Sequence, residues 1–159
     1  MQITIVCVGK IKEQFYRDAV AEYAKRLSRY CKFNIIEVND EMTPDNAGEA
    51  LTEQILRKEG ERILSRIPEG AFVFTLEIKG KKYSSEALAA KISDLTVSGY
   101  SHIVFVIGGS LGLHSSVLQK ADGGISFSDM TFPHQLMRVI LSEQIYRSFR
   151  IINNEPYHK

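Results

Sequence analysis

The chain has 159 residues, of which 44% are apolar and 25% charged, and this balance excludes a disordered, fibrous or collagen-like protein. A chain of this length buries roughly 70% of its unfolded surface, so neither a disulfide nor a metal is needed to hold it, and none is expected. The formal net charge of +1 excludes a protein that holds nucleic acid by bulk charge alone. The ends are mildly basic, with seven Lys/Arg against five acids in residues 1–40 and four against two in 133–159. An RNA surface drawn from both termini is compatible with this, as are ordinary solvated faces.

The N-terminus, MQITIVCVGK, opens on a β-branched run at 3–8 with no basic leader, too short to span a membrane. A cytoplasmic, reducing location is therefore expected. Cys7 and Cys31 share no Cys-x-x-Cys or Cys/His spacing and read as small buried hydrophobes. Residues 13–30 follow with helical spacing, as in the stripe Phe15, Ala19, Tyr23, Leu27. A second strand is predicted at 33–38, then a turn-rich loop at 39–48 and a helix over about 50–66. AFVFTLE (71–77) is a third strand, and the helix over about 85–97 has Ser84 or Ser85 as its N-cap.

HIVFVIG (102–108) is a fourth strand, and a short helix at about 114–121 would be capped by Ser115 or Ser116. A short strand at 125–128 and a long helix at 134–152, with Pro133 in its first turn, complete the pattern. Strands alternating with helices predict one α/β domain over 1–159, with a mostly parallel sheet and helices on both faces. In such sheets ligands bind beyond the carboxyl ends of the strands, which directs attention to 76–80, 108–113 and 127–132.

Three segments could carry chemistry. IGGSLGLH (107–114) joins a strand to a helix, and its glycines allow close backbone approach. It is neither a dinucleotide fingerprint nor a P-loop, and a plain tight turn accounts for it equally well. SFSDMTF (126–132) offers backbone polar groups beside apolar side chains, the mixture an adenosine pocket needs. The helix behind it is apolar nearly all round, with Leu136, Val139 and Tyr146 on one side and Met137, Leu141 and Ile152 on the other. Such a helix is buried on more than one side, so a homodimer through this helix is expected, in preference to a helix central to its own domain. The tail ends in Tyr157, His158 and Lys159, which suit base stacking and proton handling, although termini often fray. His102 and His114, at a strand start and a helix start, read as local hydrogen-bonders.

ITIVCVGKIKE, GGSLGLH, SFSDMTFPHQLMRVILSEQIYR and EPYHK together closely resemble the RlmH family of SPOUT-class methyltransferases, from Gln2 to Lys159. The resemblance implies methylation of N3 of a pseudouridine in 23S ribosomal RNA, with S-adenosylmethionine as the donor. It also implies a C-terminal trefoil knot, which the rarity of threaded chains would otherwise exclude, and pairing through the knotted region. Carried over by position, the cofactor pocket comprises Leu76, Gly108, Phe127, Ser128, Asp129, Met130, Thr131 and Phe132. For catalysis, His158 is expected to take the N3 proton, Tyr157 to stack on or orient the base, and Lys159 or Arg138 to stabilise charge or a phosphate.

The near-neutral charge suggests that the substrate is the assembled ribosome, with neither DNA nor a membrane as partner. The alternatives are a flavodoxin-like nucleotide- or phosphate-binding module and a non-catalytic ribosome-associated factor.

Overall fold

The computed structural model describes residues 1–158, so Lys159 lies outside the described residues. Five strands form the sheet: β1 (Gln2–Val8), β2 (Lys32–Val38), β3 (Phe72–Lys82), β4 (His102–Ile107) and β5 (Gly123–Ser126). The helices are α1 (Gln14–Leu27), α2 (Glu49–Leu64), α3 (Ser85–Val97), α4 (Ser115–Lys120) and α5 (His134–Ile152). The strands lie in the order β2-β1-β4-β3-β5, and every pairing between them is parallel.

Strand alternation sorts the apolar side chains into two layers. Ile3, Ile5, Phe74, Ile103 and Phe105 face α1, α3 and α5, where Leu27, Ile92, Leu141 and Ile145 meet them. Val6, Val73, Val104 and Val106 face the other way, onto Ile63 of α2 and Val117 of α4. Burial on both faces is why these strands read as unbroken apolar runs, and each such side chain removed from water stabilises the fold by about 1.5–3 kcal/mol. Cys7 and Cys31 are buried as expected, and burial pushes their thiols up to about 12 and about 11.

The structure departs from the sequence reading at four places. β3 runs five residues past Glu77: Leu76 and Lys81 both lie opposite Ile125, so Glu77–Gly80 bulge out between two paired stretches. The polar sequence EIKGKK hid this continuation. β5 begins at Gly123 and ends at Ser126, two residues earlier than expected, because two glycines without side chains give no apolar signal. α4 is capped by His114, whose ring accepts from the Ser116 N–H, and not by Ser115 or Ser116, whereas Ser84 caps α3 through the Ala87 N–H at 3.0 Å. Pro133 stands just before α5, outside its first turn, and its carbonyl accepts from the Met137 N–H at 2.9 Å.

The apolar surface of α5, from which a dimer was expected, divides into two parts. α5 packs against both α3 and α1 on one face of the sheet. Its own chain covers part of the helix: Tyr146 packs against Tyr23 and Tyr30, and Phe149 stacks on Tyr30 at 5.6 Å between ring centroids, whereas Leu136 and Val139 are only partly buried and belong to neither apolar layer. The helix thus buries one apolar flank within its own domain and leaves Leu136 and Val139 on the other partly exposed.

β4 leads to α4 on one face of the sheet, whereas β5 leads to α5 on the other. The connections after these strands thus part beyond the carboxyl ends of β3, β4 and β5, and a crevice opens between them.

Candidate functional site

A cavity of about 550 Å³ fills this crevice, a volume suited to a small ligand or cofactor. Of the residues expected to form the cofactor pocket, Leu76, Gly108, Phe127, Ser128, Met130, Thr131 and Phe132 line it. Asp129 does not. Its side chain is 80% exposed and pairs with Lys82 at 3.0 Å, outside the lining.

The glycine loop forms one wall. Gly109 and Gly112 make an isolated antiparallel bridge, with the Gly112 N–H donating to the Gly109 carbonyl at 3.0 Å. The turn is tight enough that a Cβ on Gly108 would lie 2.6 Å from the Gly112 carbonyl oxygen. The opposite wall is the loop after β5, which its own serines hold in place. The Met130 N–H donates to Ser128 Oγ at 3.0 Å, and Ser126 Oγ donates to the Ser128 carbonyl at 3.2 Å. Apolar walls and two fixed stretches of backbone make a site for a flat heterocycle with polar edges.

Sequence reasoning missed three titratable residues in the cavity lining, Glu77, Lys79 and His134. Glu77 begins the β3 bulge, which the strand pattern did not reveal. His134 opens α5, and its only sequence signal was its place after Pro133. Burial, with the Arg138 charge beside it, holds the His134 imidazole below its ordinary value, so the ring is neutral at pH 7.

Arg138 is the largest fully buried side chain, 1% exposed. Its guanidinium donates to the Val8 and Gly9 carbonyls, both at 2.9 Å, and to Glu37 at 2.8 Å. Glu37 also accepts from the Ile11 N–H at 2.7 Å. One turn earlier, Gln135 accepts from the N–H groups of Lys12 and Glu13, at 2.8 and 3.3 Å, which supplies the cap that α1 lacks on its own. Arg138 therefore ties α5 to the carboxyl ends of β1 and β2 and has no open face for a phosphate.

The tail lies apart from the cavity. Tyr157 packs edge-on against Tyr146 at 5.0 Å, with Arg147 over its ring at 4.7 Å. Its hydroxyl donates to Glu143 at 3.1 Å, and burial together with the Glu143 charge pushes it up to about 12. His158 meets Glu86 at 2.6 Å, and Arg147 at 3.3 Å through its other ring nitrogen. Lys159, the last expected catalytic residue, lies outside the described residues. His102 and His114 are local partners, of Thr4 at 2.9 Å and of Glu53 at 2.6 Å.

Among the described residues no group of three or more His, Cys, Asp or Glu side chains could hold a metal ion, and no helix is long and apolar enough to cross a membrane.

Residues 1–158 match the family described as "Predicted SPOUT methyltransferase". The chain is 60% identical to the ribosomal RNA large subunit methyltransferase H of Bifidobacterium adolescentis, over 159 residues covering 100% of both chains. It is 54% identical to the ribosomal RNA large subunit methyltransferase H of Acetivibrio thermocellus, again over 159 residues and 100% of both chains.

Proposed function

The chain belongs to the SPOUT methyltransferase family, and from that premise we propose that it transfers a methyl group from S-adenosylmethionine to N3 of a pseudouridine in 23S ribosomal RNA of the assembled ribosome. The observation that carries this reading is the cavity between the glycine loop and the serine-held loop at the ends of β3, β4 and β5. Its donor set fits the cofactor. Leu76, Phe127 and Phe132 would flank the adenine, while backbone groups around Gly108 and from Ser128 to Thr131 would meet its polar edges. When bound, S-adenosylmethionine supplies an electrophilic methyl carbon on a positively charged sulfur.

The remaining demands fall on the protein. The attacking nitrogen must be held about 3 Å from the methyl carbon, which is a matter of positioning. As the methyl moves from sulfur to N3, the N3 proton must pass to a base. In this reading His158 accepts it, Tyr157 orients the uracil ring, and Lys159 balances developing charge. Arg138 acts indirectly, by fixing α5 and therefore the start of the cavity wall. Tyr157 and His158 do not line the cavity of their own chain, so the tail would act on the cavity of a second copy.

Ile78, Leu118 and Met130 support such a homodimer. They are 52%, 43% and 74% exposed and line the same cavity, so it has an open apolar rim. Pairing at the cavity end of α5, a single domain over 1–159, the family's C-terminal knot and a cytoplasmic location belong to the same reading.

The test is calorimetric titration with S-adenosylmethionine, followed by mapping of methylated nucleosides in ribosomes. The expected result is cofactor binding and one N3-methylated pseudouridine. Binding only of flavin or nucleotide phosphates would overturn the reading, as would ribosome binding without methyl incorporation. Removing residues 157–159 is expected to leave cofactor binding intact and abolish turnover. A parental rate would take the chemistry away from the tail. The small net charge predicts faster methylation of assembled ribosomes than of naked RNA, and equal rates would contradict this.

A further inference from the structure

We propose that Glu77 selects for charge in this cavity, its carboxylate recognising the positive sulfur of the bound methyl donor and so favouring the donor over the neutral product. The proposal rests on the reading of the cavity as an S-adenosylmethionine site. Glu77 stands where β3 leaves its first paired stretch, and it lines the cavity half-buried. By strand alternation it shares a face with Val73 and Thr75, and Thr75 Oγ1 donates to its Oε2 at 3.1 Å. Its other oxygen occupies a notch that exists only because residue 124 is glycine. A Cβ there would come within 2.5 Å of Oε1. The carboxylate is thus held in place from two sides.

What it lacks is a cation. Among the described residues, no Lys, Arg or His nitrogen comes within 4.0 Å of it. Of the lysines that follow it in sequence, Lys82 pairs with Asp129 and Lys81 lies over the Tyr83 ring at 4.8 Å, while Lys79 lines the same cavity but is exposed and makes no ion pair with it. His134, the one histidine of the lining, is neutral at pH 7. A ligand cation placed against this carboxyl group would find an opposite charge that no cation of the chain already answers.

A sulfonium has no N–H or O–H to donate, so its charge is recognised through negative charge, carbonyl oxygens or aromatic faces, and among the described residues Glu77 is the one carboxylate of the lining. A carboxylate that held the ribose hydroxyls instead would not distinguish donor from product, since both carry the same ribose.

That difference makes the test. S-Adenosylmethionine and S-adenosylhomocysteine are titrated calorimetrically into the full chain, its Glu77→Gln variant and its Gly124→Ala variant. Glu77→Gln keeps the shape and the hydrogen-bond acceptor but removes the charge. It is expected to weaken donor binding about tenfold and product binding about twofold or less. Gly124→Ala displaces the end of a flexible side chain without altering its charge. That variant should fold normally and shift the donor-to-product ratio in the same direction by a smaller factor. Equal weakening of both ligands by Glu77→Gln, or no change in either, would overturn the proposal, and Gly124→Ala supplies the same ratio should the first variant fail to fold. If the parent chain binds neither ligand, the cavity reading falls first and the proposal falls with it.

Discussion

Replacing Arg138 by alanine separates two roles for this side chain. It would strip three charge-assisted hydrogen bonds from a site that is 1% exposed, leaving the Val8 and Gly9 carbonyls without the guanidinium and Glu37 with only the Ile11 N–H. Breaking a buried ion pair from one side costs about 3–5 kcal/mol. Two features place this case at the lower end. The Glu37 side chain is 35% exposed and can regain water, and Arg138 Nε is buried without a partner, which already offsets part of the residue's contribution. A loss of about 3 kcal/mol lowers the melting temperature of a domain this size by about 6–12 °C. Arg138→Lys keeps the charge but cannot span three acceptors with one ammonium, so about half that loss is expected. Melting curves by circular dichroism, with and without S-adenosylmethionine, provide the measurement. An alanine variant that melts within about 2 °C of the parent would refute the anchoring argument. If that variant also bound cofactor normally yet failed to methylate, the guanidinium would act on substrate, as the sequence suggested.

Gly108→Ala would put a methyl group 2.6 Å from the Gly112 carbonyl oxygen, so the loop must open. A loss of about 1–3 kcal/mol in stability and at least about tenfold in cofactor affinity is expected, from melting and calorimetry respectively. Unchanged values would mean the turn is loose. Glu59, buried beneath the same loop, is held above its ordinary 4.5, chiefly by burial. A raised carboxyl favours the folded state below pH 4.5, and that contribution is lost as pH rises through the folded value. Glu59→Gln should therefore melt higher than the parent near pH 7, and the gap should close towards pH 4. A gap independent of pH would exclude titration of Glu59 as its cause.

The layers of the fold were legible because a parallel sheet covered on both faces needs continuous apolar strands, and ITIVCV and HIVFVI could hardly be anything else. Signals failed where side chains were absent or polar for reasons of their own. Gly123 and Gly124 concealed the start of β5, and the β3 bulge ended an apolar run while the backbone pairing resumed beyond it. The cavity's position followed from topology, since loops at strand ends on opposite faces must part. Which way each loop residue points did not follow. Asp129 sits among cavity residues in sequence but turns outward to Lys82, whereas Glu77 turns in. Arg138 was misread because a charged residue on a helix is usually solvated, and only three-dimensional packing reveals the carbonyls that make its burial tolerable.

The contacts between α5 and the start of the chain have a consequence for how the protein folds. Gln135 completes the entrance to α1 across 123 residues of sequence, and Arg138 closes the end of β1 across 130. β1 is itself an interior strand whose partner β4 begins at His102. The first elements synthesised therefore wait for the last. Little of the sheet can be stable while the chain is still emerging, and loop closure must be met before these distant contacts repay it. Refolding should be slow for a domain of this length and limited by the docking of α5. Truncation before residue 138 should leave a compact but uncooperative chain, not a smaller native one.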